Sequence, residues 1–483
     1  MPASLTFGSG AFGTSGTFSS ILKEFYLGPI QEQLNNEVYV LELFDKMTVD
    51  WNGKYTVIPI RTGRNTGVGF RNESGAGGNT ANSVLPAAGN QGYANLQVES
   101  KYMYGRFEVT GPAMAAAAKG GSNTFISWMD SEMNGLVRDI KNHSNRTFVS
   151  GNRTLGFIFE TTAAPNGTAN NYDNWLFVGD IDKLEQLAYV FENELLAGSP
   201  YINGDTGPNA GANEGMEVDL VRMDTYATVH ARVRVNATHT SVVNKAAGTI
   251  SLENQDQAGN QIDLSGLPAG TAVAVVVSAG QTVANGAAWV SDYLASEPYG
   301  IYHNLAFPTL HGVDRTTATG GNNSVLQSTI RMITDASFAA LSLTAIQNMF
   351  DTISNTADSE PNLMLMSPLK RQSYIGILQG TVAMRSENRT SAKPGDAGFL
   401  GLSYANVPIK TSRHVDDGLI IFLDTTTWKV LELEPGAFAD LDGSVLSRVS
   451  GEDSWEGFYK WYYQLVCVKP NANGILIGIT LAA

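Results

Sequence analysis

Apolar residues return every three or four positions along 125–148. Met129, Met133, Leu136, Val137 and Ile140 fall on one stripe, which predicts a helix with a single buried face. Ser122, Asn123 or Thr124 can accept from its free N–H groups, and Gly151 stands where a stop is expected. The same period predicts a helix over 180–198, with Leu184, Leu187, Ala188, Phe191 and Leu195 together and Gly198 after it. It predicts another over 337–354, carrying Ile346, Met349, Phe350 and Ile353 on one face. The segment 367–380 is framed as a helix by Ser367 as cap, Pro368 at the first helical position and Gly380 beyond the end. A shorter helix over 21–44 breaks at Gly28-Pro29.

Elsewhere the pattern is that of strands. YTVIPI (55–60), YMYGRFEVTG (102–111), PNLMLMS (361–367), VPIKTSRH (407–414), LIIFLD (419–424) and WKVLELE (428–434) are short apolar or alternating runs. Residues 216–296 hold β-type patterns such as 229–237 and 271–279, and predict an all-β insertion. The closing runs FYKWYYQLVCVKP and ILIGITL are joined through Asn473-Gly474, a dipeptide that favours a tight hairpin.

One stretch breaks the pattern. Residues 61–100, RTGRNTGVGFRNESGAGGNTANSVLPAAGNQGYANLQVES, are rich in Gly and Asn. Their larger apolar residues are only Val68, Phe70, Val84, Leu85, Tyr93, Leu96 and Val98. A long stretch with so little to bury does not fold on itself. Its apolar side chains are expected to find their core elsewhere.

Composition narrows the function. The chain has 483 residues, ample for several domains. Charged residues make up 16%, against about 25% in typical domains, as expected of a surface largely covered by interfaces. The net charge of −15 argues against gripping phosphates. One cysteine, Cys467, excludes an intramolecular disulfide and a thiolate metal cluster. The first residues, MPASLTFGSGAFGTSGTF, lack the basic and apolar regions of a secretory signal. The apolar runs 271–280 and 475–483 are too short to span a bilayer.

Candidate chemistry is sparse. Gly8-Ser9-Gly10-Ala11-Phe12-Gly13 matches a dinucleotide loop in letters but lacks the preceding strand and following helix. The histidines His143, His230, His239, His303, His311 and His414 show no metal-ligand spacing and read as surface or interface residues. Asp440-Leu441-Asp442-Gly443 reads as a turn rather than half a calcium loop. WEGFYKWYYQ (455–464) reads as a strand packed on both sides rather than a sugar platform. No cofactor, no metal and no enzyme activity are expected.

The order of elements carries a resemblance. A flexible arm, a long extension, a long amphipathic helix, a mixed α/β region and paired closing strands follow one another. This order resembles the major capsid proteins of tailed bacteriophages, the Hong Kong 97 fold. VSGNRTLGFI (149–158), NLAFPTLHGVDRTT (304–317), LMLMSPLKRQSYIGILQG (363–380), the stretch 401–433 and the stretch 449–478 are similar to segments of that family. The resemblance covers 1–160 and 300–483.

It implies an α+β fold. The N-terminal arm would span 1–50, the extended loop 51–110, and the spine helix with the start of the peripheral domain 111–160. A helix and a β-rich insertion would span 161–300, the peripheral domain 301–335, the axial domain 336–426 and the return strands 427–483. The implied function is self-assembly, as hexamers and pentamers, into the icosahedral head shell around double-stranded DNA. The DNA would be enclosed without sequence-specific binding. The protein would reside in the virion after assembly in the host cytoplasm, with no membrane. Its implied partners are a portal, a separate scaffolding protein and a cement or decoration protein. Arg61, Arg64, Val68, Phe70, Arg71, Glu73, Leu85 and Tyr93 are the expected intersubunit contacts. Some relatives weld subunits through a lysine near the loop tip; residues 55–100 contain none, so the contact is expected to be non-covalent. An encapsulin-like cargo shell and a β-rich glycan-binding surface protein are the alternative readings.

Overall fold

The computed structural model describes residues 39–70, 88–112, 122–151, 297–315, 323–332, 341–381, 402–440 and 446–477, apart from a few single positions. It also describes isolated strands between 154 and 276. The expected helix over 180–198, Gly8–Gly13 and most of the segments 1–50 and 320–323 lie outside the described residues, as do Asp442 and Gly443. The described residues of Tyr102–Ser144 and Glu434–Tyr462 make one unit, and those of Tyr39–Lys101, Asn145–Leu433 and Tyr463–Ala483 make another.

In the first unit, the strand Lys101–Thr110 pairs with the long strand Ser454–Cys467. Ser447–Arg448 adds a short pairing at Glu456 and Trp455. Against this sheet lies the helix Ser122–Ser150, 29 residues and about 44 Å long at 1.5 Å per residue. Its predicted stripe is the packed face: Met133 and Leu136 meet Phe107, Val109, Phe438 and Leu446. Gly105 lets the helix approach, since a Cβ there would stand 2.6 Å from Ile140 Cδ1.

The last turns of that helix depart from the stripe. Asn145–Ser150, which belong to the second unit, are buried on every side, although most are polar. Partners explain this, because a buried polar group without one is costly. Asn145 Oδ1 accepts from Leu41 N–H at 2.9 Å. Arg146 forms a buried ion pair with Glu297. Phe148 packs between Phe44 and Tyr463. The segment 39–49, expected as free arm, is tied in here: Phe44 stacks on Trp428 at 5.3 Å, and Asp45–Thr48 pairs in parallel with Lys429–Glu432.

A two-stranded ribbon rises from the second unit. Tyr55–Gly63 pairs antiparallel with Gly92–Glu99, from Tyr55↔Glu99 to Gly63↔Gly92. This corrects the expectation that 61–100 buries nothing of its own. Leu96 and Val98 are wholly buried, packed with Leu310, Leu431 and Val466. The strand over 102–111 does not flank the ribbon but pairs elsewhere. Alternation explains the miss: a strand needs apolar residues on one face only, so two suffice to seat it.

The ribbon's root rests on residues 309–315. Gln97 N–H donates to His311 O at 2.9 Å. The buried Arg315 guanidinium donates to the carbonyls of His303 (3.1 Å), Asn304 (2.7 Å), Leu305 (3.3 Å) and Leu326 (3.4 Å). Three of these belong to the helix Ile301–Ala306, whose C-terminal end favours a cation. His303, His311 and His414 are buried, which corrects their reading as surface residues. Tyr299, His303 and Phe307 form a stacked column, with centroids 3.9 and 4.5 Å apart.

A six-stranded sheet forms the other core. Its order is Thr329–Met332, Gly474–Ile477, Ile420–Leu423, Leu363–Met366, Val407–Thr411 and Ser403–Tyr404. The helix Leu343–Ala357 covers it with Ile346, Met349, Phe350 and Ile353, as its period predicts. Ser342 Oγ accepts from Ala345 N–H at 3.1 Å, and Asp358 ends it in the left-handed region at φ +50°. The helix Pro368–Thr381 begins at its predicted cap, with Gly380 inside its last turn rather than beyond it.

The predicted hairpin at Asn473-Gly474 is absent. Gly474–Ile477 pairs with Thr329–Met332 and Ile420–Leu423, not with the strand before it. Asn473 is consumed by a buried network instead. Its Oδ1 accepts from Asp424 N–H (2.8 Å) and Trp428 Nε1–H (2.9 Å). Its Nδ2 donates to Thr427 Oγ1 (3.0 Å), Lys469 O (3.1 Å) and Cys467 Sγ (3.5 Å).

The β-type sequence after the long helix forms a sheet of its own. Asn174–Phe177, Thr154–Thr161, Ala272–Val276, Glu217–Arg222, Val229–Val235 and Thr249–Glu253 follow in order. The last then pairs back on the first, Thr249↔Phe177 to Leu252↔Asn174. Val243–Asn244 adds a short pairing on Thr249–Ile250; every pairing is antiparallel, and the six longer strands close into a barrel.

Candidate intersubunit surface

Alternation divides the ribbon into two faces. Thr56, Ile58, Ile60 and Thr62 turn inward on the first strand, and Leu96 and Val98 on the second. The outward face carries Tyr55, Val57, Pro59 and Arg61 opposite Glu99, Gln97, Asn95 and Tyr93. Tyr93 is 67% exposed and Val57 53% exposed. Farther along, Val68 and Phe70 are almost entirely exposed. Arg64 is exposed as well, and Arg61 Nε donates weakly to Gly63 O at 3.4 Å. Arg71, Glu73 and Leu85 lie outside the described residues. Thus Arg61, Arg64, Val68, Phe70 and Tyr93 are all exposed, Arg61 and Tyr93 on the ribbon's outward face and the other three beyond its paired end.

Val57 and Pro59 share this outward face, although they were not among the residues expected there. In YTVIPI both faces carry apolar residues, Tyr55, Val57 and Pro59 on one and Ile58 and Ile60 on the other, so the sequence alone does not say which side turns out. At the root, Lys54 Nζ and Lys101 Nζ lie 3.2 and 3.8 Å from the Glu99 carboxylate. The two lysines that bound the ribbon are engaged there.

The first unit exposes a second aromatic surface, on the sheet face opposite the long helix. Tyr104 Oη donates to Tyr462 Oη at 3.0 Å, and Tyr102 meets Tyr462 edge-on at 5.0 Å. Tyr102 and Tyr104 are each more than half exposed. Beside them Arg106 pairs with Glu456 at 2.8 Å and Lys460 with Glu434 at 2.6 Å. The charges of this face are matched within it, leaving the tyrosines as its unsatisfied apolar area. The run 455–464 is a strand as predicted, but it is not packed on both sides: Trp461 is buried and Tyr462 is partly exposed.

Among the described residues no group of three His, Cys, Asp or Glu could hold a metal ion. Among them, too, no helix is long and apolar enough to cross a membrane. Burial holds the Cys467 thiol up at about 12, far from the range of a reactive thiolate.

Neither a protein-family model nor any curated protein sequence matches the chain. Solved structures do. The cyanophage A-1(L) capsid asymmetric unit matches with a TM-score of 0.50 at 10% identity, covering 93% of this chain and 95% of that one. The capsid of a native GTA particle matches with a TM-score of 0.44 at 7% identity, covering 95% of each chain. The holo-SrpI encapsulin complex from Synechococcus elongatus matches with a TM-score of 0.24 at 14% identity, over 38% of this chain and 58% of that one. Mixed sheets, few helices and a match along nearly the whole length lead to one conclusion: this chain has a phage-capsid fold.

Proposed function

We propose that this chain is the major capsid protein of a tailed phage, of the Hong Kong 97 type. It would assemble through hexamers and pentamers into an icosahedral shell around double-stranded DNA. The observation that carries this reading is the ribbon. One face is seated in the chain's own core, while the other presents Tyr55, Val57 and Tyr93 to solvent, with Val68 and Phe70 exposed just beyond it. Exposed apolar area of this kind marks a docking surface, and obligate interfaces bury 2,000 Å² or more. On this reading the ribbon is the extended loop and Ser122–Ser150 the spine helix. The sheet covered by Leu343–Ala357 is the core of the axial domain. The protein resides in the virion and acts by association, not catalysis. Portal and decoration proteins would be its further partners.

The ribbon's hold on a neighbour is non-covalent, since no lysine lies between Lys54 and Lys101. Electron microscopy of the purified protein under assembly conditions tests the reading. Uniform icosahedral particles that package double-stranded DNA are expected in infected cells. Closed particles that hold only protein cargo would move the chain to the nanocompartments. A monomer that never associates would overturn the proposal.

A further inference from the structure

We infer that the barrel built from Thr154–Thr161 to Ala272–Val276 is a separately folding module, hung on the rest of the chain by one pinned stem. Three observations converge on this.

First, among the described residues the strands from Thr154–Thr161 to Ala272–Val276, Val243–Asn244 included, pair only with one another. The sheet closes on itself through Thr249↔Phe177, so its ladders are satisfied within the insertion and not by a strand of the host.

Second, the chain leaves the host fold and returns to it at one place. Gly151 packs against the Pro298 carbonyl, and its N–H donates to Thr147 O at 2.8 Å. A Cβ on Gly300 would stand 2.6 Å from Thr147 O and 2.7 Å from Gly151 N. The two stems are thus in backbone contact, and only glycine permits that approach.

Third, the junction is locked on the host side. Arg146, one turn before Gly151, pairs with Glu297, just before the returning stem, and both are buried. Tyr299 N–H then donates to Gln464 Oε1 at 2.8 Å. The host closes its own core across the stem, whatever loop lies between.

A fold that joins its stems in this way carries the inserted domain as cargo, not as part of its core. The two should unfold as separate cooperative units. Calorimetry and hydrogen exchange on the full-length chain test this. Val273→Pro removes a ladder N–H from a strand paired on both sides. It should abolish protection in the barrel strands and leave exchange in Leu363–Met366 and Ile420–Leu423 unchanged. Gly300→Val and Glu297→Gln should lower the host transition by several degrees and leave protection in the barrel strands intact. A single transition, or loss of protection in both regions from either kind of substitution, would overturn the inference. None of these readouts depends on assembly, so the result stands apart from the capsid reading.

Discussion

Asn473 shows how much one side chain can hold. Its five hydrogen bonds join the strand ends at Asp424, Trp428, Cys467 and Gly474. Asn473→Ala would leave the Trp428 indole N–H and Asp424 N–H buried without their acceptor, at a cost of about 1–3 kcal/mol each. Urea unfolding should report a loss of about 3 kcal/mol or more, with the m-value unchanged. Cys467 sits in the same network, and its thiol is held up at about 12, chiefly by burial. It should not react with a thiol reagent at pH 8 until denaturant opens the core. His311 supplies a pH dependence. Burial, aided by the Arg315 charge, pushes its pKa down to about 3, whereas an unfolded histidine titrates near 6.5. Between those values the unfolded chain binds a proton that the folded chain refuses, so stability falls as pH drops through that window. His311→Asn, which tolerates the local φ of +44°, should flatten the fall in melting temperature from pH 7 to pH 5. None of these roles was legible beforehand. Asn before Gly reads as a turn, and a lone histidine in a loop reads as surface, because both roles depend on partners distant in sequence.

At the scale of elements, local pattern was a good guide wherever one face is buried. The helices over Ser122–Ser150 and Leu343–Ala357 follow their periods, and Ser367 serves as the predicted cap. Pattern failed where an element is buried all round. The polar end of the long helix, Asn145–Ser150, is enclosed by the segment 39–44 and by Tyr463. No period encodes that. Glycines separate two kinds of close approach. A Cβ on Gly474 would strike Met349 Cε and come within 2.5 Å of Thr329 O, whereas one on Gly105 meets the end of the Ile140 side chain. A methyl can be turned aside; a carbonyl in a ladder cannot. Gly474→Ala should therefore cost more stability than Gly105→Ala, by about 1–2 kcal/mol, as measured by paired denaturation curves.

At the scale of the molecule, the exposed ribbon face should matter to association and not to folding. The double substitution Val57→Ser and Tyr93→Ser removes apolar area that already faces water. The melting temperature of the isolated subunit should stay within about 1–2 °C. Particle yield, read by sedimentation or light scattering, should drop at least tenfold. Unchanged assembly would remove the ribbon from the interface.

By itself, the sequence determined the helices over Ser122–Ser150, Leu343–Ala357 and Pro368–Thr381, the Ser367 cap and most of the strand segments. These follow from periodicity and capping, which act over a few residues. Its order of elements also carried the capsid resemblance that the fold bears out. The tertiary structure decided what lies between distant residues. It paired Tyr55–Gly63 with Gly92–Glu99, and it placed Gly474–Ile477 in a sheet with Thr329–Met332 rather than in a hairpin. It closed the inserted strands into a barrel and chose which face of the ribbon turns outward. The reason is physical: a strand's alternation states that it has two faces, but only the partners brought together by folding state which of them is inside.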